Sequence, residues 1–159
     1  MDGPEGGALS RRLATTVVIA PLLAAAAFGV AVARQDPGAD GSLTVVFQGV
    51  SQPRGVVLCA VFDSKAAYDA NTHPVRTLEL PAGEGDFSAT FAGLPPGPYA
   101  VKAFHDRDGD GKMKFNALGM PQEPYGFSNN ARAPFGPPSW RAAGFAVKAG
   151  ANSQVIRLR

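Results

Sequence analysis

From residue 43 to residue 158 the apolar residues fall into seven short segments, each closed by glycine, proline or another turn-forming residue. They cover residues 43–47, 56–62, 75–80, 87–92, 99–104, 144–148 and 155–158. Several alternate with a period of two, as where Phe87, Ala89 and Phe91 interleave with Ser88, Thr90 and Ala92. Successive side chains of a strand point to opposite faces, so this period marks elements with one buried side. Residues 56–62 are apolar throughout, which predicts a central strand covered on both faces. Only residues 65–70 have room for a helical turn or two, and no long amphipathic helix follows residue 33. Short strands at such spacing with Gly/Pro turns predict an all-β sandwich or barrel.

The run Leu94-Pro95-Pro96-Gly97-Pro98-Tyr99 favours a seven-stranded Greek-key β-sandwich. Two prolines and a glycine turn the chain between sheets. A tyrosine at the start of a late strand can pack inward while its hydroxyl caps the corner's backbone. This leader resembles the corner of prealbumin-like and carboxypeptidase-regulatory-type sandwiches, so a prealbumin-like or immunoglobulin-like sandwich with one long ordered loop is expected.

The N-terminus predicts export. A polar start carries the pair Arg11-Arg12, residues 13–33 hold no charge, and the run closes with Ala31-Val32-Ala33. Basic n-region, apolar h-region and A-x-A end are the parts of a secretory signal peptide over residues 1–33. The alternative is an uncleaved membrane anchor over 13–33, since about 20 apolar residues span a bilayer. Residues 10–13 also resemble a degenerate twin-arginine signal. Residues 34–41 then read as a flexible tether and residues 42–159 as the sandwich domain. The expected location is the periplasm or the exterior.

Charge excludes one class of partner. Of 15 Lys+Arg and 13 Asp+Glu, the leader holds Arg11, Arg12, Asp2 and Glu5, which leaves 13 basic against 11 acidic residues. With no basic block, a nucleic-acid partner is not expected. Cys59 is the single cysteine, so no intrachain disulfide forms, and its apolar neighbours place it in the core.

The fifth segment runs into Asp106-Arg107-Asp108-Gly109-Asp110-Gly111-Lys112, which matches the opening of an EF-hand calcium loop. Carboxylates at alternate positions can wrap one centre, and the glycine aims the next carbonyl, that of Lys112, inward. Three carboxylates held this close repel, and a hard divalent cation relieves them. Position twelve, where an EF-hand needs a bidentate glutamate, is Ala117, so Asn116 or Glu123 must close the site. The expected metal set is therefore Asp106, Asp108, Asp110, Lys112 and Glu123, with calcium bound weakly at about 10⁻⁴–10⁻³ M. His105 reads as a polar anchor at a strand end, and His73 has no evident partner.

Residues 116–139 contain five prolines and three glycines, with aromatic residues throughout. Such stretches are functional or disordered when structureless, and the aromatic content argues for order. Two roles suit it: a lid over one end of the sandwich, or a recognition surface of Tyr125, Phe127, Asn129, Asn130 and Trp140.

The block from His105 to Lys112, then Leu118-Gly119-Met120-Pro121-Gln122-Glu123-Pro124-Tyr125-Gly126-Phe127-Ser128-Asn129-Asn130, resembles a family of exported bacterial proteins known as domain of unknown function 2141. Gly136-Pro137-Pro138-Ser139-Trp140 and Ala143-Gly144-Phe145 fit it too. The resemblance spans about residues 43–158 and implies one secreted domain of uncharacterised activity, with no catalytic residues to carry over. Met113-Lys114 stand where an acidic residue or asparagine is usual, which removes one ligand from the loop.

No G-x-S-x-G, H-E-x-x-H, phosphate-cradling Gly-Lys loop or Cys-His pair occurs. The expected function is a non-enzymatic envelope or periplasmic binding or structural module, stabilised by calcium. The expected partner is an envelope component or a glycan, with membrane contact only through an uncleaved signal. Carbohydrate binding through Tyr125, Phe127 and Trp140 is one alternative. A metal-dependent hydrolase using His105, Asp106 and Glu123 is another.

Overall fold

The computed structural model describes residues 39–133 and 135–159. The signal or anchor expected over residues 1–33 lies outside the described residues, as does the tether up to residue 38. Among the described residues no helix is long and apolar enough to cross a membrane.

Eight strands build two sheets: β1 Gly41–Gln48, β2 Val56–Phe62, β3 Arg76–Pro81, β4 Phe87–Leu94, β5 Gly97–Asp106, β6 Tyr125–Phe127, β7 Phe145–Val147 and β8 Gly150–Arg157. Among the described residues, two short helices, α1 Lys65–Ala70 and α2 Trp140–Ala143, and a 3-10 turn at Ser128–Asn130 accompany the strands. One sheet has the order β4-β1-β8, with β1 and β8 parallel. The other has the order β3-β2-β5-β6, and β7 pairs the beginning of β5.

The two-residue period fills the space between the sheets. Leu43, Val45 and Phe47 of β1 meet Val57, Cys59 and Val61 of β2, with Phe91, Val101 and Ile156 among the further buried members. Burial pushes the Cys59 thiol from 9.0 up to about 12, so it stays protonated and inert as a packed hydrophobe. The Tyr99 hydroxyl donates to the carbonyl of Pro95 at 2.8 Å, and the ring is buried. The proline corner thus works as its sequence implied.

Three expectations need correction. There are eight strands rather than seven, because β6 has three residues, too few to show a period. β8 begins at Gly150 rather than Val155, since Ala151, Ser153 and Gln154 lie on an edge where polar residues suffice. β2 is fully covered on one face and on the other only at its end: Val57, Cys59 and Val61 are buried on the first face and Phe62 against Tyr68 on the second, whereas Val56, Leu58 and Ala60 are partly open.

The two sheets are joined along the β6–β8 edge. Beyond β8, the Tyr125 N–H donates to the Arg159 carbonyl at 3.0 Å and the Arg159 N–H returns to Tyr125 at 3.1 Å. Asn130 donates to the Val155 carbonyl and accepts from the Arg157 N–H, while Gln154 accepts from the Asn129 N–H. Ser128 is fully buried; its Oγ accepts from the Val101 N–H and donates to the Ala143 carbonyl. Asn129 and Asn130 both take positive φ, at 57° and 49°, a region asparagine tolerates better than most residues.

Gly126 sits where this joint is tightest. A β-carbon there would lie 2.6 Å from Ile156 Cγ2 and 2.7 Å from the Arg157 carbonyl oxygen. Gly126→Ala is expected to force the β6–β8 edge apart and cost about 1–3 kcal/mol. Urea unfolding of the two proteins checks this, as a lowered midpoint at similar slope.

Candidate functional site

β5 ends by pointing adjacent side chains in opposite directions. His105 turns into the protein, fully buried, with Nε2 2.7 Å from the Arg54 carbonyl. That carbonyl only accepts, so Nε2 carries the proton and Nδ1 is the buried atom left without a protein partner. Asp106 is also fully buried, and it organises the turn that follows. Its Oδ1 accepts from the Gly109 N–H and its Oδ2 from the Gly111 N–H, each at 2.7 Å. Both glycines have φ near +75°, which lets the chain double back and aim these amides at one carboxylate.

Glu123 braces the turn from the other side. It is buried, with Oε1 accepting from the Arg107 N–H at 3.0 Å and Oε2 from the Lys114 N–H at 3.1 Å. Asp106, Asp108 and Glu123 each place an oxygen within 4.8 Å of the others. Two oxygens on one calcium, each at about 2.3–2.6 Å from it, lie no more than about 5 Å apart, so the trio has the dimensions of a partial calcium shell. Each carboxylate oxygen keeps a lone pair beyond the amide it accepts.

Asp110 does not belong to this group; its carboxylate accepts from the Lys112 N–H at 2.8 Å. Asn116 accepts the amides of Leu118 and Met120 and so shapes the next turn. Lys114 forms an ion pair with Asp108, and thus supplies the charge that a cation would otherwise bring.

Beyond the acidic turn, residues 113–122 fold back on themselves through a bridge between Phe115 and Pro121. This tip presents Phe115, Leu118 and Met120 at 58%, 87% and 59% exposure, and Phe135 on the neighbouring loop is 91% exposed. Between them runs a groove of about 1010 Å³ over the outer face of the β3-β2-β5-β6 sheet. Strand register lays Glu79, Leu58, Phe104 and Tyr125 in one cross-strand row, and Thr77, Ala60, Lys102 and Phe127 in the next.

Lys102 closes one end of the groove. Its ammonium lies 4.2 Å from the Tyr68 ring centroid and 5.2 Å from that of Phe62, and donates to the Tyr68 carbonyl and Asn71 Oδ1. Burial lowers its pKa, and Asp69 partly restores it.

The expected recognition residues divide. Tyr125 and Phe127 stack edge to face at 5.8 Å and line the groove. Trp140 packs instead against Tyr68 at 5.7 Å. Asn129 spends its side-chain amide on the Ala142 and Gly144 carbonyls, and Asn130 spends its side chain on β8. The groove floor, Leu58, Ala60 and Phe104, escaped sequence reasoning. Its signal was present in the unbroken apolar run of β2.

A family model described as "Uncharacterized protein conserved in bacteria (DUF2141)" matches residues 45–155. The chain belongs to this family. The matched region takes in the acidic turn, the exposed tip and the Ser128–Asn130 joint of this DUF2141 protein. No curated protein and no solved structure matches the chain.

The division of labour within the turn is testable without any metal. Asp106→Asn puts an NH₂ against one of two glycine amides and is expected to cost about 2–3 kcal/mol. Asp110→Asn, at an exposed position, is expected to stay within about 0.5 kcal/mol of wild type. Guanidinium unfolding of both variants in the presence of chelator measures the contrast.

Proposed function

We propose that this DUF2141 protein is an exported, non-catalytic binding module whose ligand lies along the outer face of the β3-β2-β5-β6 sheet. The observation that carries the reading is the groove. An apolar floor, held between two walls that present large hydrophobic side chains to solvent, is the pattern of an interaction site. The unbroken apolar run of β2 supports it, since its outward residues serve no packing against the second sheet. Export is supported by the basic pair, uncharged run and A-x-A end of residues 1–33.

Under this reading the acidic turn is structural, and calcium is its regulator. It carries the tip residues Phe115, Leu118 and Met120, so fixing the turn fixes one wall. With three protein carboxylates and the remaining positions left to water, calcium affinity falls in the weak extracellular range of about 10⁻⁴–10⁻³ M. Calcium must also displace Lys114 from Asp108. The carbohydrate reading gains nothing from Trp140, which is packed on Tyr68. A hydrolytic pairing of His105 with Asp106 is opposed by their orientation on opposite faces of β5.

Two measurements follow. Lys114→Met is expected to raise calcium affinity about tenfold, because it removes the competing charge. At 100 times the dissociation constant, calcium should stabilise folding by about 2.7 kcal/mol. Melting curves with calcium and with chelator read both, and curves that coincide for wild type and Lys114→Met would remove calcium from the account. For the groove, Leu58→Glu is expected to abolish binding of the neutral apolar dye Nile red by the folded chain. Equal dye fluorescence from the two proteins would remove the groove.

A further inference from the structure

The groove adjoins a second, basic pocket. Past Tyr125 and Phe127, at the β6 edge, lies a cavity of about 240 Å³ that shares these two residues with the groove. Its other walls carry Arg132, Arg157 and Arg159. Alternation along β8 explains two of them: Ile156 and Leu158 are buried in the core, so Arg157 and Arg159 face outward. Arg132 follows the joint at Ser128–Asn130. The joint fixes all three origins, since Asn130 holds the Arg157 amide and Tyr125 exchanges two backbone hydrogen bonds with Arg159.

Among the described residues no acidic side chain pairs with these three guanidinium groups. Among the described residues the ion pairs are Lys65–Asp69 and Lys114–Asp108, and no arginine of this pocket takes part in either. Nor does any of the three make a side-chain hydrogen bond among the described residues, unlike Arg76, whose guanidinium reaches the carbonyls of Val75 and Gly93. Desolvation, and then the charges of Arg132 and Arg157, lower the pKa of Arg159, which places the three within one another's field. On the opposite side of the groove lie Glu79 and Asp69, the latter paired with Lys65. The three arginines make the β8 side the basic end of the site.

We propose that the groove and the arginine pocket form one binding site for an anionic amphiphile, with its acyl chain along the sheet face and a phosphate head at Arg132, Arg157 and Arg159. The inference rests on the groove reading above and specifies its ligand. Guanidinium forks match phosphate oxygens in bidentate geometry. A phosphate monoester carries a charge of about −1.5 to −2 near neutrality, which suits three cations better than a single carboxylate does. The pocket volume equals that of about eight liquid waters, enough for a hydrated phosphate. Four strands span about 14 Å from β3 to β6, room for a medium-length acyl chain laid across them. A neutral apolar ligand would leave the arginines unused. A free anion would leave the groove unused.

The test compares octyl phosphate, octyl glucoside and inorganic phosphate by isothermal titration with the full chain, at monomeric amphiphile concentrations. Octyl phosphate is expected to bind at least about tenfold more tightly than either of the others. The double variant Arg157→Gln/Arg159→Gln, altered only at exposed side chains, is expected to lose that advantage and keep its affinity for octyl glucoside. Leu58→Glu is expected to weaken both amphiphiles. Inorganic phosphate binding as tightly as octyl phosphate, or an arginine variant that retains wild-type affinity for octyl phosphate, overturns the proposal. The groove reading survives either result if Leu58→Glu still reduces octyl glucoside binding. Failure of both amphiphiles to bind wild type overturns the two together.

Discussion

The arrangement depends on the polar joint at Ser128–Asn130. Both sheets would otherwise end at this side in open edges, with unpaired N–H and C=O groups along β6 and β8. Three consecutive short polar side chains close that gap. Ser128 reaches inward to β5 and to the end of α2, the Asn129 side chain holds the Ala142 and Gly144 carbonyls, and Asn130 reaches across to β8. Only because the joint holds β6 in register do Tyr125 and Phe127 extend the outer face of β5. The same bonds hold Arg157 and Arg159 beside the loop that bears Arg132. Asn129 and Asn130, which read as recognition groups in the sequence, spend their side chains on holding this edge together.

The acidic turn solves a different problem, that of holding an exposed apolar tip away from the sheet. Two buried carboxylates would be costly in isolation, since transfer of an unpaired charge from water is strongly unfavourable. Asp106 and Glu123 avoid this by accepting four backbone amides between them. Charge-assisted bonds of this kind stabilise more than neutral ones. Lys114 then balances Asp108 at the surface. The turn is thus held by the protein's own groups.

Much of this was legible in the sequence where local pattern and tertiary role coincide. The period of two located β3, β4 and β5, and the Pro-Pro-Gly-Pro-Tyr run located the corner capped by Tyr99. Glu123, expected with Asn116 as a neighbour of the acidic turn, accepts two of its backbone amides. What escaped depends on contacts remote in sequence. β6 is a strand only because β5 and the β8 extension flank it. Gly150 to Gln154 pair with β1 over more than a hundred residues of separation and need no apolar character of their own. Asn129 and Asn130 could not be told from ligand-binding residues, since the same side-chain amide suits a sugar hydroxyl or a backbone carbonyl.

The outer face of β2 shows how such ambiguity can be resolved. An apolar run of seven residues normally means cover on both sides, and here the outer side is packed at Phe62 and left to a groove over Leu58 and Ala60. A contiguous exposed apolar floor between walls is the pattern of interaction sites in general. The charges around this floor then carry information that the floor itself cannot. Glu79 lies on one side, and on the other three arginines that make no ion pair among the described residues. A ligand with one apolar axis and one anionic end satisfies both features at once, whereas either feature alone would admit many partners.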